Sequence, residues 1–353
     1  MRALKIQSPN HAAVQDVPIP SLRSPDHVIV RPVAVALNPT DWKHITWVKT
    51  HPTVGCDFAG VVESVGDSPA KAWKKGDRVW GFTHGSNSVQ EEDGAFGEYL
   101  ISKSGLLGRV PDNMSFEDAS TLGVATLTVG QGMYQEMDLP WPGTQEKVAE
   151  DKKPWFLIYG GSSAMGAFGI QFAKLSGFRV VATCSPRNFS YVKSLGADAV
   201  FDYSSPTCGA DIRAHTSDSL YYVWDCIGEN GSYEIGATAL ASSAPAGQKL
   251  HYGTILFPND PPRADVDFTW SLGYTASGEA FEMGDRKFEA KPDHYEFMKK
   301  WLDVAENLIL EGKVQPHQID KREGGLDSIL GGLEDMKNGK VSGVKIVYRV
   351  QEP

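Results

Sequence analysis

The run Gly160-Gly161-Ser162-Ser163-Ala164-Met165-Gly166 carries the clearest chemistry in this chain. A glycine-rich turn at the start of a helix exposes backbone N–H groups and the positive end of the helix dipole, which together cradle a pyrophosphate. Against the dinucleotide fingerprint G-x-G-x-x-G it supplies Gly161, Ser163 and Gly166. The serine in the middle place is small enough for close approach and adds a hydroxyl. The end of the following strand selects the cofactor. An NAD site holds the ribose 2′-hydroxyl with an acid about 20 residues on. Here that place reads Thr183-Cys184-Ser185-Pro186-Arg187-Asn188, with no acid. Ser185 and Asn188 offer hydrogen-bond donors, and Arg187 and Lys193 add positive charge, so the pattern favours a 2′-phosphate and hence NADPH over the alternative of a solvated Arg and Lys on an exposed helix. Tyr203, after the third strand, is placed to contact the adenosine phosphate or to stack on adenine.

These residues need a strand-loop-helix frame, and the surrounding pattern predicts one. Trp155-Phe156-Leu157-Ile158-Tyr159 is an apolar run of strand length, and Gly166 to Leu175 reads as a helix with Phe168, Phe172 and Leu175 at helical spacing. Phe178–Thr183 is the next strand, and a helix capped by Asn188 runs to Leu195 and stops at Gly196. Strands at Ala199–Phe201 and Leu220–Trp224 continue the alternation, which implies a parallel sheet covered on both faces, a doubly wound α/β domain. The first third of the chain differs. Val28–Leu37, Gly60–Val65 and Asp77–Phe82 read as short strands separated by turns, which predicts a β-rich, barrel-like domain. A long helix from Pro292 to Glu311 precedes a terminal strand, Val344–Tyr348, whose natural host is the N-terminal sheet. The expected domains are therefore 1–122 with 291–353, and 123–290 between them.

Length and charge set the outer bounds. A chain of 353 residues is too long for one core and predicts two domains. Hydrophobic content of 41% with 22% charged residues excludes a mostly disordered chain. A net charge of −10 argues against a nucleic-acid partner. Cys56, Cys184, Cys208 and Cys226 form no C-x-x-C pair, which suits a reducing compartment. No apolar run approaches a membrane span and no signal peptide is visible, so the expectation is a soluble, cytoplasmic protein.

The stretch from Tyr159 to Asp202 resembles the medium-chain dehydrogenase/reductase superfamily, quinone-reductase branch. Asn38-Pro39-Thr40-Asp41-Trp42-Lys43, Gly55-Cys56-Asp57-Phe58-Ala59-Gly60, Tyr159-Gly160-Gly161-Ser162-Ser163-Ala164, Cys184-Ser185-Pro186-Arg187-Asn188-Phe189 and Gly339-Lys340-Val341-Ser342-Gly343 together resemble trans-acting enoyl reductases of fungal polyketide pathways, of the lovastatin type. The resemblance implies a Rossmann domain inserted into a GroES-like β-rich domain, with the active site in the cleft between them. It also implies cofactor contacts from Thr40, Asp41, Trp42, Lys43, Ser162, Ser163, Ala164, Met165, Ser185, Pro186, Arg187, Asn188, Tyr203, Val341 and Ser342, with Leu256 and Phe257 beside them. It sets the nicotinamide near Thr126, and a substrate pocket around Leu256, Phe257, Tyr274, Ala276 and Gly278; Leu127 and Tyr134 are further substrate candidates, Tyr134 alternatively only packing.

Zinc members of that superfamily carry a Cys and a Gly-His-Glu where this chain reads Asn38 and Gly55-Cys56-Asp57. A catalytic zinc needs three protein ligands, so no metal is expected. His44, His51 and His84 show no ligand spacing and read as surface or packed histidines, and Cys56 reads as a small buried residue. Without a Lewis acid, reducing an activated C=C bond is easier to arrange than oxidising an alcohol. Hydride passes from NADPH to the β-carbon of an α,β-unsaturated carbonyl, and the α-carbon then takes a proton. Lys43 and Thr126 are the catalytic candidates. Lys43 polarises the carbonyl or relays the proton, binds cofactor phosphate or ribose, or is a surface lysine. Thr126 bonds the carboxamide or the enolate oxygen, or satisfies the start of its helix. The resemblance implies a thioester substrate on the acyl-carrier domain of a polyketide synthase, docked transiently, with Lys43, Lys49 and Lys71 as candidates for a basic patch. Two other readings use the same motifs: a stand-alone quinone or alkenal reductase, and a non-catalytic NADPH-binding partner. The Pro258-Asn259-Asp260-Pro261-Pro262 run disfavours edge pairing of the second sheet, so a monomer is expected over a dimer.

Overall fold

The structure is a computed structural model that describes residues 1–145, 148–256, 260–261 and 263–353. The chain divides into two compact units, Met1–Leu127 with Gly273–Pro353, and Thr128–Leu272. Residues 273–290, which the sequence pattern assigns to the second domain, group with the first unit. They include the turn Gly273–Ser277, whose tyrosine packs among first-unit rings described below.

The first unit is built on a seven-stranded sheet. Its order is Ile319–Arg322, Lys345–Arg349, His27–Ala36, Asp57–Val65, Arg78–Phe82 and Leu107–Arg109, with Leu100–Lys103 also pairing to His27–Ala36. The long strand His27–Ala36 is buried almost throughout, as its apolar run requires. Pro32 cannot donate to a ladder, and the register shifts next to it, between Pro32 and Ala34. The terminal strand Lys345–Arg349 pairs antiparallel with His27–Ala36, so the chain returns to the N-terminal sheet as its pattern predicts.

The second unit is a six-stranded, wholly parallel sheet. Numbered from Trp155–Tyr159, its strands lie in the order 3-2-1-4-5-6, the doubly wound arrangement that reverses beside the first strand. The helix after that strand runs Ala164–Leu175, starting ahead of the predicted Gly166 because Ser163 caps it. The next helix, Phe189–Ser194, ends as expected, with Gly196 at φ +108° just beyond its C-cap. Asn188 stands at its start but makes no capping side-chain bond.

All four cysteines are buried and unpaired. Among the described residues no helix is long and apolar enough to cross a membrane. Of the proline run 258–262, only Asp260 and Pro261 fall within the described residues.

Candidate functional site

In the second unit, backbone packing dictates the glycine loop. A Cβ on Gly166 would fall 2.2 Å from the Gly160 carbonyl oxygen, and one on Gly161 would fall 2.9 Å from the Ala182 Cβ. These two places therefore need glycine so that helix and strands can approach closely. The middle place does not. Ser163 is the N-cap, its Oγ accepting the Gly166 N–H at 3.0 Å, which explains why serine serves there. Gly160, at φ +83°, donates its N–H to Thr183 Oγ1 at 3.0 Å, and Gly161 donates to the Thr183 carbonyl at 2.8 Å. The loop is thus pinned to the end of the second strand.

Two strand ends contribute polar groups around this loop. Asn188 Nδ2 donates to Ser162 Oγ at 3.2 Å, and Ser185 Oγ lies 3.1 Å from the Tyr203 hydroxyl. Ala164 and Met165, in the first turn of the helix, are partly exposed, as are Ser162 and Ser163. Arg187 and Pro186 are exposed on the turn Pro186–Asn188, and Tyr203 is 44% exposed. The second strand ends without an acid. The nearest one along the chain, Asp198, precedes the third strand and is held by Lys174 and the Val180 N–H, and Asp202, after that strand, accepts from Ser204. This donor-rich set fits a phosphorylated nucleotide. Leu256 is partly buried, and Phe257 lies outside the described residues. Tyr134 takes the packing position. It is 2% exposed, with its hydroxyl on Ser176 Oγ at 2.8 Å, so it packs the interior of the second unit and offers nothing to a pocket.

In the first unit, the helix Pro39–Ile45 carries Thr40 to Lys43, and its turn divides them. Trp42 and Lys43 are partly exposed, with the ammonium 5.8 Å from the indole centroid. Asp41, expected with them at the cofactor, is instead 1% exposed. One of its oxygens accepts the Asn38 N–H at 2.7 Å and the other has no hydrogen-bond partner. Burial pushes its carboxyl up to about 7. Thr40 Oγ1 lies 2.5 Å from the Tyr274 hydroxyl and 2.9 Å from His44 Nδ1. His44 Nδ1–H donates to the Thr40 carbonyl at 2.7 Å, which leaves Nε2 buried without a partner.

Tyr274 is the centre of a buried group that the sequence does not announce. His84 stacks on it at 4.1 Å between centroids, and His44 meets it edge-on at 5.5 Å. Burial raises the Cys56 thiol and the Tyr274 phenol, and lowers both imidazoles. Only the positive-φ and close-packed glycines around these segments hint at their convergence: a Cβ on Gly85 would sit 2.0 Å from the Gly55 carbonyl. Tyr274 and Ala276 are buried, and Gly278 takes φ +72° where the turn ends.

The places of the superfamily's zinc ligands are otherwise engaged. Asn38 donates to Asp57 and accepts from Lys345, and Asp57 pairs with that lysine at 2.5 Å. Among the described residues no group of three His, Cys, Asp or Glu is arranged for a metal. This donor set does not fit zinc.

Thr126 and Leu127 lie buried in the helix Gly123–Val129. The Thr126 carbonyl accepts from Trp301 Nε1 at 2.9 Å, while its hydroxyl has no partner among the described residues. Its side chain therefore does not serve the backbone. Val341 and Ser342 are partly buried just before the terminal strand, Val341 against the core. Lys71 is no free cation for docking, being paired with Asp303 at 3.0 Å and Glu306 at 2.7 Å, whereas Lys49 is exposed.

Residues 24–112 match the alcohol dehydrogenase GroES-like domain, and residues 164–274 match the zinc-binding dehydrogenase family. The fold is similar to that of an alcohol dehydrogenase superfamily protein from Novosphingobium aromaticivorans, at TM-score 0.76 and 22% identity, over 99% of this chain and 100% of that one. Fold and nucleotide loop define an oxidoreductase of the medium-chain dehydrogenase/reductase superfamily, a class that uses a nicotinamide cofactor. The chain is 42% identical to the trans-enoyl reductase resD of Aspergillus sclerotiorum, over 99% of this chain and all of that protein. It is also 42% identical to the trans-enoyl reductase ACTTS2 of Alternaria alternata, over 99% of this chain and 98% of that one. It belongs to the trans-enoyl reductase family.

Proposed function

We propose that this chain reduces the C=C bond of an α,β-unsaturated polyketide thioester, held by the acyl-carrier domain of a partner synthase, with NADPH as reductant. The observation that carries this reading is the 42% identity to trans-enoyl reductases over nearly the whole chain. When bound, NADPH supplies the hydride that the β-carbon accepts. The loop Gly160–Gly166 takes the pyrophosphate at the start of its helix. Ser162, Ser185, Asn188 and Tyr203 surround the 2′-phosphate with neutral donors, and Arg187 adds the counter-charge. The missing acid after the second strand supports NADPH over NADH.

Thr126 keeps a buried hydroxyl for the carboxamide or for the oxygen of the forming enolate. Lys43, partly exposed, provides the cation that polarises the thioester carbonyl and helps return a proton to the α-carbon; the same cation also suits the cofactor's ribose or phosphate. Lys43→Met separates these roles, since loss of turnover with NADPH affinity intact assigns it to the carbonyl. The reaction is taken to run without zinc, because Asn38 and Asp57, which stand where zinc members carry their motif, are committed to other bonds. Docking on the carrier is transient, and the enzyme works as a cytoplasmic monomer. The direct test uses NADPH deuterated at the transferred position with an enoyl pantetheine thioester. Deuterium at the β-carbon and a solvent proton at the α-carbon support the proposal, and unlabelled or unreduced product contradicts it.

A further inference from the structure

Asp57 is fully buried, and three segments distant in sequence converge on it. Its Oδ1 accepts the Val124 N–H at 2.6 Å, in the first turn of the helix that bears Thr126. Its Oδ2 receives Lys345 Nζ at 2.5 Å and Asn38 Nδ2 at 2.9 Å. Lys345 Nζ also donates to Asn38 Oδ1 at 2.8 Å, which closes the network. Asn38 precedes the helix of Thr40 and Lys43, and Lys345 opens the strand that follows Val341-Ser342. The helix start is pressed onto the carboxylate. A Cβ on Gly123 would lie 2.7 Å from Asp57 Oδ1 and 2.1 Å from the Gly81 carbonyl oxygen.

Stability alone does not call for such a pair. Two buried opposite charges are often no better than apolar side chains of the same volume, although breaking one partner is costly. What the pair provides is a fixed acceptor for a helix-start N–H that has no partner within its own helix. The Thr126 hydroxyl, two residues on, has no side-chain bond of its own to hold it, so its place depends on how its helix begins.

We infer that Asp57 and Lys345 form a charged clamp that positions the start of helix Gly123–Val129, and with it Thr126, for the reduction. The inference rests on the functional reading given above for Thr126. Asp57 and Lys345 are positioning residues, acting through the helix and the Asn38 turn.

The test compares wild type with Asp57→Leu/Lys345→Met, which removes both charges and approximately keeps their volume. Thermal unfolding, hydrogen exchange over 123–127, NADPH affinity and turnover of an enoyl pantetheine thioester are measured on each. The clamp predicts unfolding within a few degrees of wild type and exchange over 123–127 faster by about tenfold or more. It also predicts kcat lower by about tenfold or more, with NADPH affinity within about threefold. A folded double variant with wild-type exchange and kcat would overturn it. Lys345→Arg, which keeps the charge, is expected to recover a good part of the turnover that Lys345→Met loses; a purely volumetric role predicts the reverse order. If the double variant does not fold, Asp57→Asn replaces it with the same readouts, and wild-type exchange and kcat there also overturn the clamp. If wild type itself leaves the thioester unreduced, the functional reading fails, and exchange over 123–127 still decides whether the carboxylate holds the helix.

Discussion

Each unit buries a carboxylate at 0% exposure, Asp57 in one and Asp225 in the other, and the two are satisfied in different ways. Asp225 ends a parallel strand and, among the described residues, accepts only neutral donors. These are the Ile227 and Gly228 N–H groups at 2.9 Å, Ser232 Oγ at 2.5 Å and the Tyr252 hydroxyl at 2.9 Å. Two of its four partners follow it within three residues and a third within seven, so it shapes a local loop. Asp57 has a cation among its partners and joins residues 38, 124 and 345. A carboxylate with neutral local donors builds a turn. One paired to a distant charge fixes segments against each other, and those segments carry the candidates for chemistry.

The largest effect separating the two should come from Asp57→Ala, which strands the Lys345 ammonium in the core. The expected loss is about 4 kcal/mol in denaturant unfolding, with turnover lost as well. Asp225→Ala should cost about 3 kcal/mol, because several buried donors lose one acceptor. Its turnover per folded molecule should stay near wild type in assays at low temperature. Equal loss of turnover in both variants would erase the distinction.

Arg187→Ala sharpens the division of labour from the cofactor side. NADPH should bind about tenfold more weakly, NADH unchanged, with kcat preserved, as read by titration of each cofactor. Unchanged NADPH binding would remove Arg187 from the 2′-phosphate.

Asp41 is the third kind of buried carboxylate, with one oxygen unpaired. Burial first, and Asp57 among lesser causes, raise it from an ordinary 3.8 to about 7. The folded state therefore holds this proton after the unfolded chain has released it. Its contribution favours folding below about pH 4, declines as pH rises toward 7 and is flat above. Asp41→Asn should remove that decline, so stability curves of variant and wild type diverge between pH 4 and 7. Parallel curves would show that Asp41 ionises normally. Tyr252→Phe should give the smallest change, about 1 kcal/mol, by removing one of the Asp225 donors without touching turnover.

Much of this was written in local pattern. The strand-loop-helix at 155–175 could be read because an apolar run, small residues and helical spacing follow one another directly. The terminal strand's return was legible because an apolar strand must find a sheet. What local pattern hides is direction and distance. Tyr134 has the composition of a pocket residue, but its hydroxyl turns to Ser176. Asp41 sits between Thr40 and Trp42, and the helical turn sends it inward. His44 and His84 lack ligand spacing yet meet at Tyr274, since the strands between them bring their ends together. The Gly55-Cys56-Asp57 motif lacks the metal ligands of the zinc members but keeps an acid. A signal was present all the same: Asp57 and Lys345 are opposite charges each set beside apolar strand residues, the mark of charges buried together. With 288 positions between them, local pattern does not pair the two.

The most direct test of the account is NADPH consumption with an enoyl thioester loaded on an acyl-carrier domain, measured beside the free pantetheine thioester and a small quinone. The expected result is turnover that depends on the thioester, is faster on the carrier, and yields the saturated product. Turnover with the quinone alone would contradict it and mark a free-standing reductase on the same fold.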